Sequence, residues 1–496
     1  MWNSDSLIDL INSRFKDCNI IIVSNREPYI HRHHNGRIEC ITPASGMVTA
    51  LDPVLKVCGG AWVAHGSGDA DKSTVGLDDS IMVPQDNPKY KLRRVWLTKE
   101  QEEGYYYGLS NESLWPLCHI TFTRPKFDPN HWEIYQKVNA LFADAVIEEL
   151  DDRPTFVFIQ DYHLALLPKI LKDRNPNLIV GQFWHIPWPN RETFRAFPWK
   201  EKLLEGLLGN DLLGFHIRHH CLNFLETIDR GIEAKVDHER FEITRNGKTT
   251  VVRPFPISID SEQHEMDANS LPVEKYMEKL SHDFELKGQI VGIGIDRIDY
   301  TKGIPERLLA VKHFLENHPE YAERFTFIQI GVPSRSHIDQ YRNLEDQIDN
   351  LVEEINWKWQ KGSWKPILLL KKHYNQTELM AFHKLSQFCL VTSLHDGLNL
   401  VAKEFVASRS DNDSVLILSQ FTGAAREFTS ALLVNPFSIQ EISEAIFNAL
   451  TMPENERKRR MHILRETVAH NNIFRWAGKI FSALLKVEVQ ELETSI

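Results

Sequence analysis

Apolar residues in this chain come in short, nearly unbroken runs that alternate with amphipathic stretches. In the first half the runs cover residues 18–23, 155–159, 178–184, 211–215 and 251–259. Runs of this length, bounded by turn signals, read as strands buried on both faces. Residues 46–58, 132–150 and 164–174 have helical spacing instead. The second half repeats the scheme, with runs at 289–295, 325–331, 366–370, 388–394, 415–418 and 431–434 separated by helical patterns. Strands alternating with helices predict parallel sheets with crossover helices. A polar, poorly patterned stretch from 259 to 270 marks a boundary between domains 1–258 and 259–470. The final helical stretches, 438–450, 454–468 and 473–487, have no strands between them. Residues 471–496 are expected to form a C-terminal helix crossing back to the first domain. Residues 27–36 read as a loop and turn, in which Asn35-Gly36 is a hairpin signal and His31, His33 and His34 form a solvated tip.

Composition narrows the class. A chain of 496 residues needs more than one core. Hydrophobic content of 42% and charged content of 25% are ordinary for globular protein, so long disorder is not expected. A net charge of −11 argues against nonspecific binding to nucleic acid or an anionic membrane. Any cations that hold phosphate must then be concentrated locally. The six cysteines, at 18, 40, 58, 118, 221 and 389, lack the spacing of a disulfide frame or zinc knuckle. No apolar run approaches the ~18 residues of a membrane span. The first residues lack the basic segment and apolar core of a secretory signal. The expectation is a cytoplasmic protein whose partners are small molecules, with self-association into a homo-oligomer left open.

Candidate chemistry sits where two second-half strands end. Asp296-Arg-Ile-Asp-Tyr-Thr-Lys-Gly303 follows the run at 289–295, and Asp396-Gly-Leu-Asn-Leu-Val-Ala-Lys-Glu404 follows the run at 388–394. Ligands of open parallel sheets bind beyond the carboxyl ends of the strands. Arg297 and Lys302 there supply fixed positive charge for a diphosphate. Gly397, Leu398, Asn399 and Leu400 form a turn at a helix start, whose free N–H groups suit an anion. Glu404, on the next turn, can accept from sugar hydroxyls. A nucleotide-sugar diphosphate satisfies all of these groups. A nicotinamide dinucleotide does not, because Gly292-Ile-Gly294 has no third glycine in register.

Further landmarks stand in a fixed order: Val23-Ser-Asn-Arg26, Tyr106, Leu114-Trp-Pro116, Asp161-Tyr-His163, His185-Ile-Pro187, Pro333-Ser-Arg335 and Leu418-Ser-Gln-Phe-Thr-Gly423. With the two segments above, they give the chain a resemblance over almost its entire length to the trehalose-6-phosphate synthases, the retaining glycosyltransferases of family 20. The resemblance implies the α/β GT-B fold, two Rossmann-like domains with a cleft between them. It implies UDP-glucose as donor and glucose 6-phosphate as acceptor, both substrates, with no metal or other cofactor required. Arg297, Lys302 and the backbone at Leu400 and Val401 would hold the diphosphate, and Glu404 the ribose. Asp396 and its turn, Gly397 to Asn399, would hold the glucose, which His185 would approach from the first domain. Arg26, Tyr106, Trp115 and Arg335 would form the sugar-phosphate pocket, with Asp161 accepting from an acceptor hydroxyl. His185, Asp161, Arg297, Lys302 and Asp396 would carry catalysis by front-face attack.

Some features depart from the family pattern. Ser45-Gly46-Met47 stands where relatives commonly have Gly-Gly-Leu, and Gly46 keeps the backbone N–H expected on the donor side. The segment 27–37 also resembles that of glucosylglycerol-phosphate synthases, which leaves glycerol 3-phosphate as an alternative acceptor and ADP- or GDP-glucose as alternative donors. A non-catalytic sugar-phosphate sensor of the same fold is the alternative from another class. Asp69-Ala-Asp71 and Asp411-Asn-Asp413 imitate a DxD metal motif but lie in polar loops, and no GxSxG elbow is present.

Overall fold

The computed structural model describes residues 2–15, 17–43 and 46–494, and their side chains except at 46, 47, 49, 50 and 487–494. Ser45 lies outside the described residues. The chain forms two compact units, one of residues 1–257 with 473–496 and one of residues 258–472.

Twelve strands belong to the first unit. They are β1 (Asn19–Arg26), β2 (Ile30–His34), β3 (Arg37–Ile41), β4 (Ala61–His65), β5 (Ser80–Val83), β6 (Tyr90–Val95), β7 (Thr155–Gln160), β8 (Ile179–Phe183), β9 (Leu212–Phe215), β10 (Lys235–Asp237), β11 (Glu242–Arg245) and β12 (Lys248–Pro254). Ten of them form one sheet in the order β10-β11-β12-β9-β8-β7-β1-β4-β6-β5. The pairs from β12 through to β6 are parallel, and the edges β10-β11-β12 and β6-β5 are antiparallel. From β1 the chain runs outward one way through β4 and β6, then returns beside β1 as β7 and runs the other way. The strand order therefore reverses between β1 and β7, and ligand sites form at such a reversal. β2 and β3 make a separate hairpin turning at Asn35 (φ 49°) and Gly36 (φ 76°), as that dipeptide predicts.

The helix Ile473–Thr494 belongs to this unit. Its Trp476 indole N–H donates to the Phe255 carbonyl at 3.1 Å. Phe481 packs edge-on to Phe15, and Leu484 fills the space left by Gly181 beside β8.

The second unit carries β13 (Ile290–Arg297), β14 (Phe325–Val332), β15 (Ile367–Leu370), β16 (Phe388–Val391), β17 (Val415–Ser419) and β18 (Leu432–Val434). All pair in parallel in the order β15-β14-β13-β16-β17-β18, so the reversal falls between β13 and β16. Alternate residues feed two apolar layers. Val291, Ile293, Cys389, Val391, Leu416 and Leu418 enter one, and Phe325, Phe327, Phe388, Leu390, Val415 and Ile417 the other. Each such side chain contributes about 1.5–3 kcal/mol on burial. The two glycines of Gly292-Ile-Gly294 serve packing. A Cβ at Gly292 would lie 2.2 Å from the Phe388 ring, and one at Gly294 would lie 2.3 Å from the Arg307 guanidinium.

Candidate active site

In the second unit, the predicted diphosphate groups gather at the reversal between β13 and β16. Asp299 caps the short turn Tyr300–Lys302, its Oδ1 accepting from the Thr301 N–H at 3.0 Å and hydroxyl at 2.9 Å. Gly303 follows in the left-handed region (φ 61°), where a Cβ would meet the Thr392 carbonyl oxygen at 2.3 Å. The turn therefore packs directly on the end of β16. Lys302 is thus aimed at Asp396, with Nζ 2.6 Å from Oδ2. The same oxygen accepts from Ser393 Oγ and Asn399 Nδ2, each at 3.2 Å. Burial acts to lower the Lys302 pKa, but Asp396 and Asp296 outweigh it and the net shift is upward, so the ammonium stays charged.

The turn after Asp396 is clamped from β17. Gly423 N donates to the Asp396 carbonyl at 3.2 Å and Ala424 N to the Leu398 carbonyl at 3.0 Å. A Cβ at Gly423 would lie 2.0 Å from the Gly397 carbonyl oxygen, which accounts for the glycine ending the 418–423 segment. Asn399 adopts positive φ (83°), and its Oδ1 caps the Ala402 N–H of helix Leu400–Ser408 at 3.1 Å. The N–H groups of Leu400 and Val401 remain at the open end of that helix, where no intrahelical acceptor exists. One turn on, Glu404 is half-buried, and burial pushes its carboxyl up to about 7.

Three cations surround Asp299. Burial favours its neutral form, but Arg335, Arg297, Lys302 and the Thr301 N–H hold the carboxyl below its ordinary range. Arg297 ends β13. Arg335, also at positive φ (54°), is 3.5 Å from Asp299 Oδ2 and donates to the Tyr341 hydroxyl at 2.5 Å. Its place is therefore in the second unit, beside Asp299 and Tyr341, whereas the other residues expected for the acceptor lie in the first. Behind this cluster Arg307, fully buried, pairs with Asp296 at 2.8 Å and donates to Thr392 Oγ1 at 3.0 Å and Gln329 Oε1 at 2.9 Å. Lys302 thus pairs with neither Asp296 nor Asp299, its neighbours in sequence.

In the first unit, Arg26 and Asp161, expected on the acceptor side, and His185, expected at the glucose, stand at the carboxyl ends of β1, β7 and β8. The chain bulges against β4 between Ser24 and Arg26, and bulges of this kind re-aim a side chain. Arg26 Nη2 donates to the Tyr106 hydroxyl at 3.3 Å. Tyr106 stacks on His163 at 5.5 Å, and Tyr162 touches both His163 and Trp115. Trp115 is buried against His119 and Tyr162. Tyr105-Tyr-Tyr107 lies in a π-helix, Glu103–Leu114. Gly104 and Gly108 let it pack on the helix Pro129–Glu148, where a Cβ would strike Ile134 at 2.5 Å and His131 at 2.2 Å.

Asp161 holds φ 70° and ψ 176°, a conformation that is almost exclusive to glycine and costs about 1–3 kcal/mol. Hydrogen bonds impose it. Its N–H donates to the Phe183 carbonyl at 2.7 Å, its carbonyl accepts from Gln182 Nε2 at 3.0 Å, and its Oδ1 accepts the His185 N–H at 3.1 Å. The His185 ring lies 2.9 Å from Gln160 Oε1, and burial holds its pKa down at about 3. At neutral pH it is an uncharged hydrogen-bonding group. Gly46 opens the helix Gly46–Cys58.

Sequence reasoning missed His163, Tyr162, Ser393 and Arg307. The Asp161-Tyr-His163 landmark carried the first two, but nothing in the sequence distinguishes Arg307 from a surface arginine. The DxD-like pairs are engaged elsewhere. Asp69 accepts from the His33 N–H, Asp71 is buried, Asp411 pairs with Arg409 and Asp413 with Arg457. Among the described residues no group of three or more His, Cys, Asp or Glu is placed to hold a metal.

The model of the Glycosyltransferase family 20 family matches residues 18–486. A trehalose-6-phosphate synthase of Mycobacterium sp. (strain KMS) is 36% identical over 476 residues, covering 94% of this chain and 95% of its own. Among solved structures, an E. coli trehalose-6-phosphate protein bound with UDP-2-fluoro glucose aligns with TM-score 0.84 at 33% identity, over 94% of this chain and 98% of that one. An α,α-trehalose-phosphate synthase (UDP-forming) from Burkholderia xenovorans in complex with glucose-6-phosphate aligns with TM-score 0.85 at 28% identity, over 94% of this chain and 100% of that one.

Proposed function

The chain belongs to glycosyltransferase family 20, and on that premise we propose the role of each unit in its reaction. The enzyme transfers glucose from UDP-glucose to glucose 6-phosphate with retention, giving α,α-trehalose 6-phosphate and UDP. The observation that carries our assignment of the donor side is the Lys302–Asp396 pair at 2.6 Å beside the open helix end at Leu400 and Val401. A nucleotide sugar divides such a pair between its two halves. The diphosphate takes Lys302, Arg297 and the two amides, while the glucose hydroxyls donate to the released Asp396. Glu404 accepts from the ribose hydroxyls.

On the acceptor side Arg26 and Tyr106 take the sugar phosphate, and Arg335 is assigned to the same group. Asp161 accepts from the attacking sugar. The bond from the glucose anomeric carbon to the diphosphate breaks as the acceptor hydroxyl attacks the same face, and its proton passes to the departing phosphate oxygen. Charge grows on that leaving group, so Arg297, Lys302 and the helix amides act more strongly in the transition state than on the bound substrate. A neutral His185 cannot donate a full proton at physiological pH, so its part is to orient a hydroxyl. Among the described residues no helix is long and apolar enough to cross a membrane. Free thiols at all six cysteines suit a reducing compartment, and we place the reaction in the cytoplasm.

A panel of UDP-, ADP- and GDP-glucose crossed with glucose 6-phosphate and glycerol 3-phosphate, read by nucleotide release, tests this. Turnover is expected with UDP-glucose and glucose 6-phosphate. Release with glycerol 3-phosphate alone, or with no phosphorylated hexose, overturns the acceptor assignment.

A further inference from the structure

We propose that the buried cluster Glu27–Arg94–Asp71, with His31, is a positioning device that sets the aim of Arg26 and thereby the affinity for the acceptor's phosphate group. It rests on the reading of Arg26 given above. The cluster draws on three neighbouring segments. Glu27 follows β1, Asp71 lies in the loop after β4, and Arg94 sits on β6. The side chains of all three are 0% exposed. Arg94 Nε donates to Glu27 Oε2 at 2.8 Å, and Nη2 lies 2.9 Å from Asp71 Oδ1. Nη1 donates to the Asp71 carbonyl at 3.0 Å and Thr74 Oγ1 at 2.9 Å, and Nη2 reaches the Tyr29 carbonyl at 3.1 Å and His31 Nδ1 at 2.8 Å.

The carboxylates tie down the loop after β4. Glu27 Oε1 accepts from the Ser67 N–H at 2.9 Å, and Asp71 Oδ2 from the Gly68 N–H at 2.6 Å. Gly68 has no room for a side chain, since a Cβ would lie 2.2 Å from the His31 carbonyl oxygen. Arg26 is therefore held from both sides. Behind it is the bulge, where Ser24 Oγ donates to the Arg26 carbonyl at 2.6 Å and accepts the Trp62 indole N–H at 2.7 Å. Ahead of it is Glu27, fixed by Arg94.

Burial first, and then Asp71, push the Glu27 carboxyl above its ordinary range against the pull of Arg94. A buried ion cluster of this kind contributes little net stability compared with apolar packing. What it fixes is geometry, at the carboxyl ends of strands beside the reversal where a ligand binds.

The test is a double-mutant cycle on the whole enzyme. Arg94→Lys keeps the charge but loses the planar fork, and Glu27→Gln keeps size and one carbonyl oxygen. Each is measured alone and combined with Arg26→Ala, by steady-state kinetics with glucose 6-phosphate varied and then UDP-glucose varied. Alone, Arg94→Lys should raise the acceptor KM about tenfold with little change in kcat or donor KM. In the Arg26→Ala background the same substitution should change the acceptor KM by less than about twofold. Equal shifts in both backgrounds, an unchanged KM, or a parallel loss of donor affinity overturns the proposal and leaves the Arg26 reading standing. If Arg26→Ala alone leaves the acceptor KM unchanged, that reading fails and the proposal with it. Where Arg94→Lys does not fold, Glu27→Gln decides by the same comparison.

Discussion

The two units place matched ions at different depths. In the second unit one pair, Lys302 with Asp396, is partly exposed at the strand ends, and the buried pairs Arg335 with Asp299 and Arg307 with Asp296 lie behind it. In the first unit the Glu27–Arg94–Asp71 cluster is fully buried, and the Tyr106 hydroxyl meets Arg26 with the Tyr106 ring stacked on His163. On the proposed assignment the donor side exchanges partners. Lys302 and Asp396 neutralise each other here, and a bound diphosphate and sugar would separate them. On the same assignment the acceptor side would hold its shape, with the charge that fixes it out of reach of solvent. A site that must grip a leaving group needs charge that can be redirected, whereas a site that selects an acceptor needs a rigid frame.

The largest expected effect comes from breaking the exchange. Lys302→Ala removes the diphosphate's cation and strands the Asp396 carboxylate, so kcat/KM for UDP-glucose should fall by about 10²–10³-fold. Adding Asp396→Ala should cost less than the sum of the two single losses, because the stranded charge is then gone. Full additivity in steady-state kinetics would break the contrast between the units. Next in size is Arg335→Ala. Although Arg335 sits in the second unit, its loss should raise the KM for glucose 6-phosphate about 10–100-fold and leave UDP-glucose binding by calorimetry nearly unchanged. A donor effect of equal size would place Arg335 wholly in the diphosphate cluster.

Tyr106→Phe keeps the ring on His163 and removes the hydroxyl that Arg26 meets, so the acceptor KM should rise about 2–10-fold. The smallest effect concerns pH. The ionised Glu404 carboxylate accepts from ribose hydroxyls better than its acid form does. With its pKa at about 7, UDP affinity should be full above that pH and weaken as pH falls through it. The limit is about tenfold per pH unit. Glu404→Gln should flatten this dependence, and an unchanged slope in calorimetry across that range would remove Glu404 from the ribose.

The depth of the charges also decided what the sequence disclosed. The six strands of the second unit were legible to within a few residues at either end, because parallel strands covered on both faces are continuous apolar runs. The antiparallel edges of the first unit were not. β6, Tyr90-Lys-Leu-Arg-Arg-Val95, reads as a charged surface segment, yet Arg94 is buried. His31 was placed at a solvated hairpin tip; the turn forms as expected, but His31 lies at the other end of the hairpin, buried against Arg94. Buried ions give no sign of burial in the sequence, because what buries them comes from distant segments. The candidate residues that gather at the strand reversals stood in the sequence as motifs. Which carboxylate each cation takes depended on tertiary packing.

The most direct test of the account is the structure of the product. Incubation with UDP-glucose and glucose 6-phosphate, followed by ¹³C and ³¹P NMR, should show a non-reducing disaccharide. Both anomeric carbons should be in the α configuration, with one phosphomonoester on a primary carbon. A reducing end, an inverted linkage, or UDP released with only free glucose formed would contradict transfer with retention between these two sites.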